Sequence, residues 1–153
     1  MHRTMPFRTR SQLEDEIKRR GIQVRSFGAP ATPEEIAAAE RQLSQRLPDA
    51  LRELYLAFNG VIHRLGSPFL LDLHGPHGLV HDNRVFRLEE AKPSWIQSAI
   101  LFGCNGLGDY WAINPEKTSE ILKWRPIDGE DYDVDGSAVL DVWEKMQLFG
   151  HHS

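Results

Sequence analysis

At Gly60 the apolar residues of this chain change their spacing, and that change limits its fold more than any other feature. Upstream, Thr32-Pro33-Glu34-Glu35 combines an N-cap, a proline for the first helical position and a capping glutamate. Ile36, Ala37, Ala39 and Leu43 then fall on roughly one side, which predicts a helix over about 33–45. Leu47-Pro48 restarts a helix in which Leu51, Leu54, Tyr55 and Phe58 recur at i, i+3, i+4 and i+7, and Asn59-Gly60 suits a left-handed C-cap. Nearer the N-terminus, Ser11 and Glu14 have capping-box spacing, Leu13 and Ile17 share a face, and Gly21 is placed to stop a further helix.

Beyond Gly60 the pattern turns extended. PFLLDL (68–73) alternates Phe69, Leu71 and Leu73, NRVFRL (83–88) is rich in β-formers, and SAILFGC (98–104) suits a central strand. DYWAIN (109–114) and EILKWRPI (120–127) complete five predicted strands, the last with Leu122 and Trp124 on one face and Lys123 and Arg125 on the other. A final helix is predicted from Ser137, carrying Val139, Leu140, Trp143, Met146 and Leu148 inward. Helices, then strands, then a helix describe a single α+β domain, with a mainly antiparallel sheet of about five strands packed by N-terminal helices and a C-terminal helix.

Gly103 to Asp109 reads GCNGLGD, and its glycine density raises the possibility of a phosphate-cradling loop. The spacing GxxGxG is not the dinucleotide fingerprint GxGxxG. Where a P-loop carries lysine this loop carries Asp109, which would repel phosphate. Both phosphate motifs need a following helix, and here a strand is expected. The loop is therefore predicted to be a turn between paired strands, its glycines supplying positive φ and Asn105-Gly106 forming the turn pair.

These residues carry a family resemblance. TPEEIAAAERQLSQRLPDALRELYLAFNG (32–60) resembles the opening signature of the SUKH superfamily, a helix with an E-I-x-x-x-E pattern followed by an LP-initiated helix ending in Asn-Gly. WIQSAILFGCNGLGDYWAIN (95–114) is similar to that family's strand, glycine-rich turn and Gly-Asp-aromatic strand, and EILKWRPIDGED and SAVLDVWEKM continue the likeness. The similarity covers residues 30–149, leaving 1–30 as a helix-containing N-terminal extension. Val61 to Asn83, with its histidines and GPHG, matches nothing in the signature. The resemblance implies an α+β binding domain without catalytic chemistry. Many bacterial members look like immunity proteins that neutralise a toxin, often a nuclease, while fungal members are linked to regulation or scaffolding of cell-wall assembly.

Charge bears on the same question. Residues 1–65 carry 11 Lys+Arg against 8 Asp+Glu, and residues 66–153 carry 7 against 14. A nucleic-acid binder needs a basic face, so the acidic C-terminal half argues against nucleic acid as a partner. It suits a basic protein, such as the groove of a toxin domain, as well as a plain solubilising face. No apolar run approaches the roughly 18 residues of a membrane span, and no signal-peptide core is present, so no membrane partner and a cytoplasmic location are expected. The expected contact surface comprises Asp109, Trp111, Trp124, Asp128, Glu130, Asp131, Asp133 and Asp135, with Trp111 and Trp124 as anchors should they be exposed.

Three chemical alternatives compete. Asp131 to Gly136 fits the calcium pattern DxDxDG, but position 12 is Val142 rather than glutamate, and an acidic turn leading into Ser137 explains the segment more simply. His63, His74, His77 and His81 could serve a metal-dependent hydrolase. GPHG interrupts any helix there, however, and a strand–turn–strand with the histidines in surface or loop roles is expected. Cys104 ends an apolar strand near Asp109, a setting for a buried or turn-lining thiol rather than a nucleophile. No cofactor is expected.

Overall fold

A computed structural model describes residues 7–89, 93–129 and 131–150. Of the residues singled out above, Glu130 lies outside these, as do the side chains of Asp128 and Leu148. The chain has an α+β fold with two antiparallel sheets. In order it forms α1 (Arg10–Arg19), β1 (Val24–Phe27), α2 (Pro33–Leu43), α3 (Asp49–Ala57), β2 (Val61–His63), β3 (Pro68–Leu70) and α4 (Leu79–Leu88). A 3-10 turn at Ser94–Gln97 leads to β4 (Ile100–Cys104), β5 (Tyr110–Asn114), β6 (Lys117–Trp124), β7 (Tyr132–Gly136) and α5 (Val139–Gly150). The first sheet has the order β1-β2-β3 and the second β4-β5-β6-β7.

The helix starts follow the expected chemistry with two shifts. Thr32 Oγ1 accepts from the Glu35 amide at 3.1 Å and the Glu35 carboxylate accepts from the Thr32 amide at 2.9 Å, closing the box ahead of α2. At α1 the box is made by Thr9 and Gln12 rather than by Ser11 and Glu14. Leu13 and Ile17 are buried as their spacing predicts, and Gly21 adopts a φ of 76° just past the end. α5 begins at Val139, not Ser137.

Three expectations about the strands are corrected. Asn83–Leu88, read as a strand, is the second half of α4. Its buried Leu79, Val80, Asp82 and Asn83 share a helical face, and this burial outweighs the β propensity of Val85 and Phe86. The acidic segment at 131–136, read as a turn, is the edge strand β7. The strand expected at 68–73 stops at Leu70, and β1 and β2 are additional, so among the described residues seven strands in two sheets replace one sheet of about five.

The main core joins Leu13 and Ile17 of α1, Ile36 and Leu43 of α2, Leu51 and Tyr55 of α3, Phe69, Phe102, Trp111 and Trp143. Each large apolar side chain buried in this way contributes about 1.5–3 kcal/mol. The opposite face of the four-stranded sheet covers a second cluster of Leu101, Ala112, Leu122 and Trp124, with Ile96 and Ala99 and with Phe86 of α4 packed against them. Burial on both faces explains the near-continuous apolar run of β4.

The two sheets meet edge to edge at β3 and β4. The Leu71 amide donates to Phe102 O at 2.7 Å. The Asn83 side chain closes the remaining gap, donating to Leu101 O at 2.8 Å and accepting from the Leu101 amide at 2.9 Å. A side-chain amide thus satisfies two backbone groups on β4 that would otherwise be buried and unpaired.

Candidate protein-docking surface

The connection from β4 to β5 is built around Asn105. Its Oδ1 accepts from the Leu107 amide at 2.8 Å and the Asp109 amide at 3.3 Å, and its Nδ2 donates to Asp109 Oδ2 at 2.8 Å. Gly106 and Gly108 hold φ of 83° and 95°, the turn role expected of them. Gly103 differs: it lies within β4, and a Cβ there would stand 2.1 Å from Phe69 O, so its requirement is close approach of β3. The amides of Leu107 and Asp109 point inward to Asn105, leaving neither to cradle a phosphate, and β5 follows the loop instead of a helix.

Asp109 ties this loop to the next hairpin. Arg125 Nε donates to its Oδ1 at 2.9 Å, and the Arg125 terminal nitrogen also donates to Leu107 O at 3.1 Å. Burial alone would push the Asp109 carboxyl up. The hydrogen bonds from Arg125 and Asn105, with the charges of Arg125 and Lys123, outweigh it and hold the carboxyl below its ordinary value. Asp135 is likewise occupied: it accepts from Trp111 Nε1 at 3.2 Å and Lys145 Nζ at 3.0 Å, with Lys123 Nζ at 3.8 Å.

The loops β4–β5 and β6–β7 lie at one end of the four-stranded sheet because Tyr110, Trp124 and Tyr132 are cross-strand partners there. Asp109, Lys123, Arg125, Asp131, Tyr132 and Asp133 line a shallow cavity of about 220 Å³ at that end. Asp131 and Asp133 are exposed on β7 and its approach, with no ion pair among the described residues. Tyr132 and Val134 alternate with them and are 47% and 56% exposed, and Leu107 and Ile127 stand out from the two loops at 61% and 86%.

Trp111 and Trp124 are not exposed anchors. Trp111 packs between Phe69 and Phe102 in the main core. Trp124 lies in the second cluster, where its Nε1 donates to Gly129 O at 2.7 Å. Of the expected contact residues, then, Asp131 and Asp133 face solvent, while buried Asp109 and half-buried Asp135 are engaged with cations. Lys123, Arg125, Tyr132 and Val134 were missed. Their signal was available, since D-Y-D-V-D alternates with period two, as does K-W-R.

The chemical alternatives fare differently. Asp131, Asp133 and Asp135 sit on or beside an extended strand and not in the loop that calcium coordination needs. The four histidines do not assemble. His63 stacks on Phe69 at 4.5 Å and His74 Nε2 bonds Glu35 O at 2.9 Å, whereas His77 and His81 stand together at the start of α4. Cys104 has its thiol pushed up to about 12 by burial and by the charge of Asp82, a state unsuited to nucleophilic attack. No helix among the described residues is long and apolar enough to cross a membrane.

A family model for the SMI1 / KNR4 family (SUKH-1) matches residues 30–146. No curated protein is similar enough to the chain to count as a match. The matched span runs from Pro30 through Met146 and so contains α2 to β7, the asparagine-centred loop and most of α5. The chain therefore belongs to the SMI1 / KNR4 (SUKH-1) family.

Proposed function

We propose that this protein is a non-enzymatic immunity protein that binds a basic toxin domain through the loop end of its four-stranded sheet. The observation that carries the reading is the outer edge formed by β7. There the free carboxylates Asp131 and Asp133 alternate with the exposed apolar side chains Tyr132 and Val134, and Leu107 and Ile127 extend the apolar area. Apolar contact area combined with unneutralised charge of one sign is what a charge-steered protein interface needs. Carboxylates in a nuclease's basic groove would mimic phosphate charge and speed encounter. The ion pair between buried Asp109 and half-exposed Arg125 ties the two loops together, so the exposed residues are presented on a fixed frame.

Affinity capture with the tagged chain from its native cells, run beside an Asp131→Lys/Asp133→Lys variant, tests this. The expected result is one basic partner with toxin activity, held by the wild type and lost from the variant. A partner held equally by both removes the surface assignment, and capture of cell-wall enzymes alone favours the regulatory role instead.

A further inference from the structure

His77, His81 and Asp82 gather where the chain enters α4, and the docking surface uses none of them. Each offers one ligand atom, and the three atoms lie within 4.8 Å of one another. The placement follows from the backbone. The Gly78 amide donates to Gly75 O at 3.0 Å and the Asp82 amide to Gly78 O at 2.9 Å, so His77 and His81 stand about one turn apart although His77 precedes the helix. GPHG does interrupt a helix, but the interruption ends at Gly78, and the imidazoles meet edge to face with centroids 5.7 Å apart. Asp82 is only 8% exposed: its Oδ2 accepts from the Tyr110 hydroxyl at 3.1 Å and its Oδ1 lies 3.0 Å from His81 Nδ1.

We propose that His77, His81 and Asp82 bind a divalent transition-metal ion, zinc foremost. Two imidazoles and one carboxylate are the donor set of borderline ions, whereas calcium and magnesium call for oxygen ligands throughout. Bonds of about 2.1 Å to a tetrahedral ion place ligand atoms roughly 3.4 Å apart. The two exposed imidazoles reach that spacing by rotating their rings, while Asp82 stays fixed in the wall. The Tyr110 hydroxyl on Asp82 Oδ2 supplies the outer hydrogen bond that orients a ligating carboxylate. His81 Nδ1 already stands 3.0 Å from Asp82 Oδ1, near the separation that two ligands of one ion require. Three protein ligands leave a fourth position open to solvent, for water or for a partner's side chain.

The test is calorimetric titration of the metal-free full chain with Zn²⁺, and absorption titration with Co²⁺, on a His151→Ala/His152→Ala background that removes the terminal imidazoles. One ion per chain is expected. Single His77→Ala and His81→Ala changes should each weaken binding about tenfold or more, in line with the cost of disturbing a metal site. Asp82→Asn, which keeps an acceptor for Tyr110, should do the same, and circular dichroism checks that every variant is folded. No binding by the parent chain, or affinity unchanged in both histidine variants, overturns the site. Because the readout is the ion alone, the result stands apart from any toxin affinity.

Discussion

Gly103 and Gly21 separate two reasons for which a chain keeps glycine. At Gly103 a Cβ would stand 2.1 Å from Phe69 O, so Gly103→Ala must push β3 from β4. The expected loss is about 1–3 kcal/mol, the range of overpacking in a close-packed core. At Gly21 nothing lies within 4 Å of such a Cβ and only the φ of 76° is strained, so Gly21→Ala should cost roughly 1–2 kcal/mol with no change at the β3–β4 edge. Urea melts give the energies, and amide exchange at Leu71 separates the causes. Sequence alone assigned all three loop glycines to turns, because a close approach between distant strands leaves no local trace. Asp109 makes a different prediction. Its carboxyl lies below its ordinary 3.8 in the fold, so its ionised form stabilises the native state above that value, and the stabilisation is lost as pH falls from 3.8 through the lowered value. Asp109→Asn should melt lower at neutral pH and lose less stability than the wild type between about pH 5 and about pH 3.

Elements differ in how plainly the sequence announces them. α2 was legible because its signal is chemical: Thr32, Pro33 and Glu35 occupy the N-cap, N1 and N3 positions. Thr32→Ala should cost about 1 kcal/mol in a thermal melt, the ordinary value of a lost cap. α4 was misread because Val85 and Phe86 favour strands in isolation, and its helical face is half polar, with Asp82 and Asn83 buried beside Leu79 and Val80. Those polar residues have work that only the tertiary structure shows. Asn83→Ala leaves both backbone groups of Leu101 unpaired, so the expected loss is about 2–6 kcal/mol, at about 1–3 kcal/mol for each buried unsatisfied group. Hydrogen exchange at Leu101 should rise with it. β7 was hidden for the opposite reason: its D-Y-D-V-D alternation is a strand signal, but three aspartates before a glycine also satisfy a loop pattern.

At the scale of the whole molecule, the α+β class and the strands β4, β5 and β6 were readable, whereas β7 and the division into two sheets were not. β1 and β2 are only four and three residues long, too short to show a period, and their pairing bridges a long stretch of chain. The charge asymmetry was readable as a count but not as a surface. Arg20 from the basic half pairs with Asp141 and Glu144, and Arg125 and Lys145 hold Asp109 and Asp135, which leaves Asp131 and Asp133, among the described residues, as carboxylates without an ion pair at that sheet end. Steering by two exposed carboxylates acts mainly on the association rate and is weakened by salt. The most direct measurement is therefore the association rate constant between this protein and its captured partner, for the wild type and for Asp131→Lys/Asp133→Lys, at low and high ionic strength. The account predicts a fall of about tenfold or more at low salt, narrowing as salt rises, within the range electrostatic steering supplies. Equal rate constants and equal affinities for the two proteins at every ionic strength would contradict it.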